Sequence, residues 1–113
     1  MYIDSHCHLD EVEGLDDFFN TLNNDDEMMA VVTLGCDVGS SEAAVKIAEK
    51  SSKVFCAVGF QPEYAAAFSD GDIAKIEALL NNKKVVAIGE VGLDFYWTRE
   101  TERVQKEMFV RQI

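Results

Sequence analysis

The sequence predicts an α/β fold of parallel βαβ units, arranged as a doubly wound sheet or as a closed barrel. Three observations point there. Four short apolar runs, "MYID", "AVVTL", "VFCAV" and "VVAIG", begin near residues 1, 30, 54 and 85. A segment with helical spacing of apolar residues follows each run. Strand and helix then alternate every 25 to 30 residues or so, the rhythm of parallel strands joined by crossover helices.

The runs are rich in Val and Ile and almost continuously apolar, which predicts strands covered on both faces. The first helix is read from Leu15, Phe18, Phe19 and Leu22, and the second from Ala43, Ala44, Ile47 and Ala48. The third is read from Ile73, Ile76, Leu79 and Leu80. Ser40 or Ser41 is expected to cap the second helix, and Ser69 with Asp72 forms a capping-box pattern before the third. A fourth helix over "RETERVQKEMFVRQI" has Val104, Met108, Phe109 and Ile113 as its apolar positions. No capping residue follows Ile113, so a single domain over 1–113, truncated at its end, is the expectation.

Composition narrows the function. The chain has 21 acidic and 10 basic residues, a formal charge of −11, and its field should repel phosphate backbones rather than gather them. This disfavours a basic-patch DNA-binding module, but not a metal-dependent enzyme, because a bound cation reverses the local sign. Cys7, Cys36 and Cys56 are odd in number and lack CxxC spacing, so reduced, buried thiols are expected rather than a disulfide framework. No apolar run reaches the ~18 residues a membrane span needs, and the start lacks a secretory signal, so the expected compartment is the cytoplasm.

The chemistry concentrates at strand ends. His6 and His8 are the only histidines, and they lie in "DSHCHLD". Residues two apart on a strand share a face, so Asp4, His6 and His8 are expected to project together, opposite Ser5 and Cys7. Two imidazoles at that spacing can grip one cation while neighbouring carboxylates orient the rings, although an HxH pair in a strand is also compatible with plain hydrogen-bonded or exposed histidines. In "VVAIGEVGLDFYW" a strand ends at Gly89 and delivers Glu90 and then Asp94 into a loop. Parallel α/β folds carry their functional surface at the carboxyl ends of the strands, where Glu90 would share a rim with His6 and His8. "CAVGFQPEY" brings Gln61 to a third such loop, as a hydrogen-bond donor to substrate or as an ordinary loop residue before Pro62. Phe95, Tyr96 and Trp97 read either as a stacking wall for a base or as packing that closes the rim, and packing is the expectation.

These motifs together resemble the TatD family of metal-dependent hydrolases: "DSHCHLD", "VGFQPEYA", "AIGEVGLDFYW" and "QKEMFVRQI", in that order and spacing. The resemblance implies a TIM (β/α)8 barrel of which about the first four β/α units are present. It also implies one or two divalent metal ions, Zn, Mg or Mn, and deoxyribonuclease or related phosphodiesterase activity on DNA. His6 and His8 match the family's HxH ligands, Glu90 its metal-bridging glutamate, and Asp94 the acid of its "GLD" stretch in a supporting role. Gln61 stands where members commonly carry histidine. The family takes further ligands, two histidines and an aspartate, from later strands, so little or no turnover is expected of this chain alone, with the general base beyond residue 113. Two other readings stay open: hydrolysis of C–N or carboxylic ester bonds at the same centre, and a non-catalytic half-barrel that pairs its open edges with a second copy.

Overall fold

The computed structural model describes all 113 residues. Four parallel strands form one sheet in the order β1-β2-β3-β4: β1 Tyr2–Cys7, β2 Met28–Leu34, β3 Val54–Val58 and β4 Val85–Ile88. The crossovers are α1 Leu15–Asn24, α2 Val38–Ala48 and α3 Asp70–Leu79, and α4 Glu102–Gln112 follows β4. Short 3-10 turns at Leu9–Glu11, Pro62–Ala67 and Arg99–Thr101 lead out of the rim. Strand order therefore equals chain order and every pair is parallel, as in the opening half of a β/α barrel.

The core lies between the helices and one face of the sheet. Phe19 and Leu22 of α1, Val45 and Ile47 of α2, and Ile76 of α3 pack against it. A smaller cluster of Phe60, Ala65 and Met108 seats α4 on the loop after β3. Only the two central strands are well buried. Tyr2 and Ile3 on β1 and Val86 and Ile88 on β4 are all exposed, so the expectation of four strands covered on both faces is corrected. The reason is topological: β1 and β4 are the sheet's two edges.

Helix termini differ in detail from the sequence reading. Asp37, not Ser40 or Ser41, caps α2: its Oδ1 accepts from Ser40 N–H at 2.8 Å, while the Ser40 hydroxyl accepts from Asp37 N–H at 3.0 Å. Ser41 is instead fully buried at the rim, where its hydroxyl meets the Gly59 backbone. Before α3, the Asp72 carboxylate accepts from Ser69 N–H at 2.8 Å as the capping-box pattern predicts. The inner face of α4 is also corrected. Met108 is buried, but Ile113 is exposed, and the positions beside Met108 in the interior are Gln105 and Gln112. Both glutamines complete backbone hydrogen bonds of loops. Gln112 Nε2 donates to Phe60 C=O at 2.9 Å, and its Oε1 accepts from Phe60 N–H at 2.7 Å.

Two glycines let backbones pass closely at the rim. A Cβ on Gly35 would overlap the backbone of Ser41, and one on Gly59 would come within 2.8 Å of the Gly89 carbonyl oxygen. Gly71, in the first turn of α3, meets nothing within 4 Å. Gly35→Ala and Gly59→Ala should each lower stability by about 1–3 kcal/mol, the usual cost of overpacking. Gly71→Ala should raise it by up to about 1 kcal/mol through helix propensity. Urea midpoints of the three variants check both signs.

Candidate metal centre

His6, His8 and Glu90 converge. Each offers one ligand atom, and the three atoms lie within 4.8 Å of one another. Glu90 Oε2 is 3.9 Å from His6 Nε2 and 3.6 Å from His8 Nε2, and the two imidazole rings meet edge to face at 5.3 Å. Tetrahedral zinc bound at ~2.0–2.1 Å sets its ligand atoms roughly 3.3–3.5 Å apart, so the two histidine–glutamate distances are about half an ångström or less too long, and side-chain rotation within the 4.8 Å set would close it around one ion. Two neutral-capable imidazoles and a carboxylate suit a borderline cation, and the donor set therefore fits a divalent metal.

Local structure explains the convergence. Along the β1–β2 ladder Asp4 pairs with Val31 and Cys7 with Thr33, so three steps on β1 face two on β2. This is a bulge, and it is bonded at its entrance: Asp4 Oδ1 accepts from His6 N–H at 3.0 Å. The extra residue reverses the alternation of side chains. Asp4 and Cys7 together line a hollow of about 170 Å³ beside α1, away from the histidines. The expectation that Asp4 shares a face with His6 and His8 opposite Cys7 is thus corrected.

The orienting carboxylate is corrected as well. His8 Nδ1 lies 3.2 Å from the Leu34 carbonyl oxygen, which can only accept. That contact requires the proton on Nδ1 and turns Nε2 toward Glu90, the tautomer a ligand role through Nε2 needs. Glu90 is delivered by β4 through a cis Gly89–Glu90 peptide, and its N–H donates to Gly35 C=O at 3.4 Å.

One residue at the site stands outside the sequence reading. Cys36, two residues past the end of β2, donates its thiol to Glu90 Oε2 at 3.4 Å, and its sulfur is 4.0 Å from His8 Nδ1. Its place just beyond a strand's carboxyl end is the signal that could have singled it out. Burial, the hydrogen bond to Glu90 and the Glu90 charge push this thiol up to about 12. All three cysteines are free, with Cys56 buried and the other two half-buried, as a reduced protein requires.

Gln61 lies on the same rim, its N–H donating to Cys36 C=O at 2.8 Å, and its side chain makes no capping hydrogen bond. Asp94 takes no part in the cluster. Its Oδ1 accepts from the N–H groups of Tyr96 and Trp97, both at 2.9 Å, and so shapes the loop. Of the aromatic run, Phe95 lies under the Lys106 ammonium, 5.6 Å from its ring centroid, while Tyr96 and Trp97 pack on no other element of this chain and are 82% and 76% exposed.

The sequence profile of the family described as TatD related DNase matches residues 3–113. The chain belongs to the TatD family of metal-dependent hydrolases. The metal-dependent hydrolase YabD of Bacillus subtilis is 31% identical over 115 residues, which take in all of this chain and 45% of YabD. A TatD protein of Cronobacter sakazakii, named a 3'-5' ssDNA/RNA exonuclease, is 33% identical over 79 residues, covering 70% of this chain and 30% of that protein. The crystal structure of YJJV, a TatD homolog from Escherichia coli K12, superposes with a TM-score of 0.83 at 23% identity, over 98% of this chain and 44% of that one. The likeness makes the fold the opening half of a TatD-type TIM barrel. The chain spans about half the length of the curated relatives it matches. No helix is long and apolar enough to cross a membrane.

In metal-free protein, Cys36 should react slowly with iodoacetamide at about pH 8, where an ordinary thiol is partly ionised. Glu90→Gln removes the neighbouring charge and should speed the reaction. Mass-spectrometric labelling rates for wild type and variant check the direction.

Proposed function

We propose that His6, His8 and Glu90 hold a divalent metal in a hydrolase that cleaves phosphodiester bonds of DNA, of which this chain, as one domain, contributes the amino-terminal half. The observation that carries the reading is the approach of both imidazole Nε2 atoms to a single carboxylate oxygen, at 3.9 and 3.6 Å. The nuclease class is supported by the family description and by the name of the Cronobacter sakazakii relative.

When bound, a divalent cation supplies Lewis-acid polarisation of a phosphoryl oxygen and a source of hydroxide near neutral pH. The protein's own part is positional. The Leu34 carbonyl stops the His8 ring from turning, and the Cys36 thiol steadies one Glu90 oxygen. The Gln61 amide, on the loop fixed to Cys36, donates a hydrogen bond to a substrate oxygen where an imidazole could also have moved a proton. Asp94 supports the centre indirectly, by shaping the loop that follows Glu90. No further carboxylate or imidazole joins the cluster to act as general base.

Calorimetric titration with Zn²⁺ or Mn²⁺ should therefore show a binding site. Its affinity should fall by at least about tenfold in His6→Ala, His8→Ala and Glu90→Gln, since even residues behind the ligands are worth that much. Unchanged binding in all three variants would overturn the metal assignment. Turnover by the 113-residue chain should be slow at most, confined to single-stranded DNA and aryl phosphodiesters, and lost on chelation. Activity on a lactone or amide panel instead would move the reading to ester or C–N bonds.

A second reading rests on the open edges. Tyr2 and Ile3 on one side and Val86 and Ile88 on the other are apolar and exposed. A second copy could continue the sheet in parallel at both edges by a two-fold rotation. Light scattering separates the possibilities: a dimer supports the pairing, and a monomer rejects it.

A further inference from the structure

We propose that Tyr96 and Trp97 form a base-stacking platform that holds an unpaired nucleobase of a single-stranded nucleic acid beside the metal centre. The substrate class rests on the phosphodiesterase reading above; the platform itself rests on separate observations.

The two rings are the most exposed aromatic side chains of the chain, at 82% and 76%, and they contact each other edge to face with centroids 4.6 Å apart. Apolar rings in that position normally pack or bind something. Their loop is held rigid without help from either ring. Asp94 Oδ1 accepts from both of their N–H groups at 2.9 Å. The buried Gln105 accepts from Asp94 N–H at 2.7 Å and donates to the carbonyls of Asp94 at 2.8 Å and Thr98 at 2.7 Å. A ligand meeting these rings finds them already ordered, so little loop entropy is lost on binding.

Charge selects the ligand. All three arginines, Arg99, Arg103 and Arg111, follow Trp97. Residues 95–111 carry four basic and three acidic side chains, a net +1, whereas residues 1–94 carry six basic and eighteen acidic, a net −12. Arg111 is paired with Asp70 and Arg103 faces Glu107 at 3.9 Å, while Arg99 has no ion-pair partner. Arg99, two residues beyond Trp97, is thus an unpaired cation next to the aromatic pair, in a segment that lacks the acidic excess of the chain as a whole. Elsewhere the protein's acidity leaves ring stacking and a metal as the means of holding a polyanion. Only an unpaired strand offers free base faces; a duplex keeps them stacked. Trp97 follows Glu90 by seven residues, at most roughly 25 Å of extended chain. A short run of nucleotides joins platform and centre.

Trp97 is the only tryptophan and reports directly. Short oligothymidylate, added to the whole chain in excess chelator, should quench its fluorescence saturably. In fluorescence anisotropy with labelled oligonucleotide, Trp97→Ala should weaken binding by roughly 5- to 150-fold, the span for loss of one stacked base. Trp97→Phe should restore most of it, as a stacking role requires and a purely electrostatic one does not. No quenching by oligothymidylate overturns the proposal, as does equal affinity in the Ala and Phe variants. So does a preference for duplex, or a blue shift given only by anionic phosphatidylglycerol vesicles. Because chelator removes any metal, failure of the metal centre would leave the quenching intact, and failure of the platform would leave the metal titration intact.

Discussion

The passage of three backbones within van der Waals reach at the carboxyl ends of β2, β3 and β4 is the constraint on which the site depends. Gly35 lies against Ser41 at the start of α2, and Gly59 lies against the Gly89 carbonyl. A side chain at Gly59 would push the ends of β3 and β4 apart, and one at Gly35 would push the start of α2 away from β2. Without them, Glu90 N–H reaches Gly35 C=O and Gln61 N–H reaches Cys36 C=O, so three loops are tied to one another by main chain alone. The side chains on those loops inherit fixed positions. Glu90 arrives beside His6 and His8 on a backbone held by the Val58 and Gly35 carbonyls.

This division of labour explains what could be read from the sequence. The strands are legible because Val and Ile cluster in four short runs, and the parallel order follows from the intervening helices. The meeting of His6, His8 and Glu90 is legible because parallel strands bring their carboxyl ends to one rim, whatever their separation along the chain. What escapes the sequence is the exchange of backbone partners by side chains. Nothing in "YIDSHC" announces that Asp4 will capture the His6 amide and bulge the strand, and a strict two-residue alternation then puts Asp4 on the wrong face. Gln105 and Gln112 read as surface positions of a helix for the same reason: their worth lies in loop carbonyls and amides distant in sequence. Burial of β1 and β4 is overread because composition reports how apolar a strand is, not whether it has a neighbour on each side.

The charge pattern and the site geometry complement each other. A chain of net −11 would be a poor host for phosphates if affinity came from its general field. On the proposed nuclease reading, recognition rests on a few groups at one rim rather than on the general field. The Cys36 thiol fits the same economy. Held in its neutral form by burial and by Glu90, it donates a hydrogen bond to the carboxylate without adding a second negative charge beside it.

The bulge in β1 also sets how this segment can vary in length. In a regular strand the loss of one residue turns the side chains on one side of the deletion to the other face. Here Asp4, Ser5 and His6 are counted against fewer residues on β2, so deleting one of them would restore the even pleat and carry the histidines out of phase with Glu90. The first strand is thus intolerant of insertions and deletions in a way that its exposure alone would not suggest. The spacing from Asp4 to His8 is thus a mechanical dimension of the candidate centre, as much a part of it as the residue types His6, His8 and Glu90.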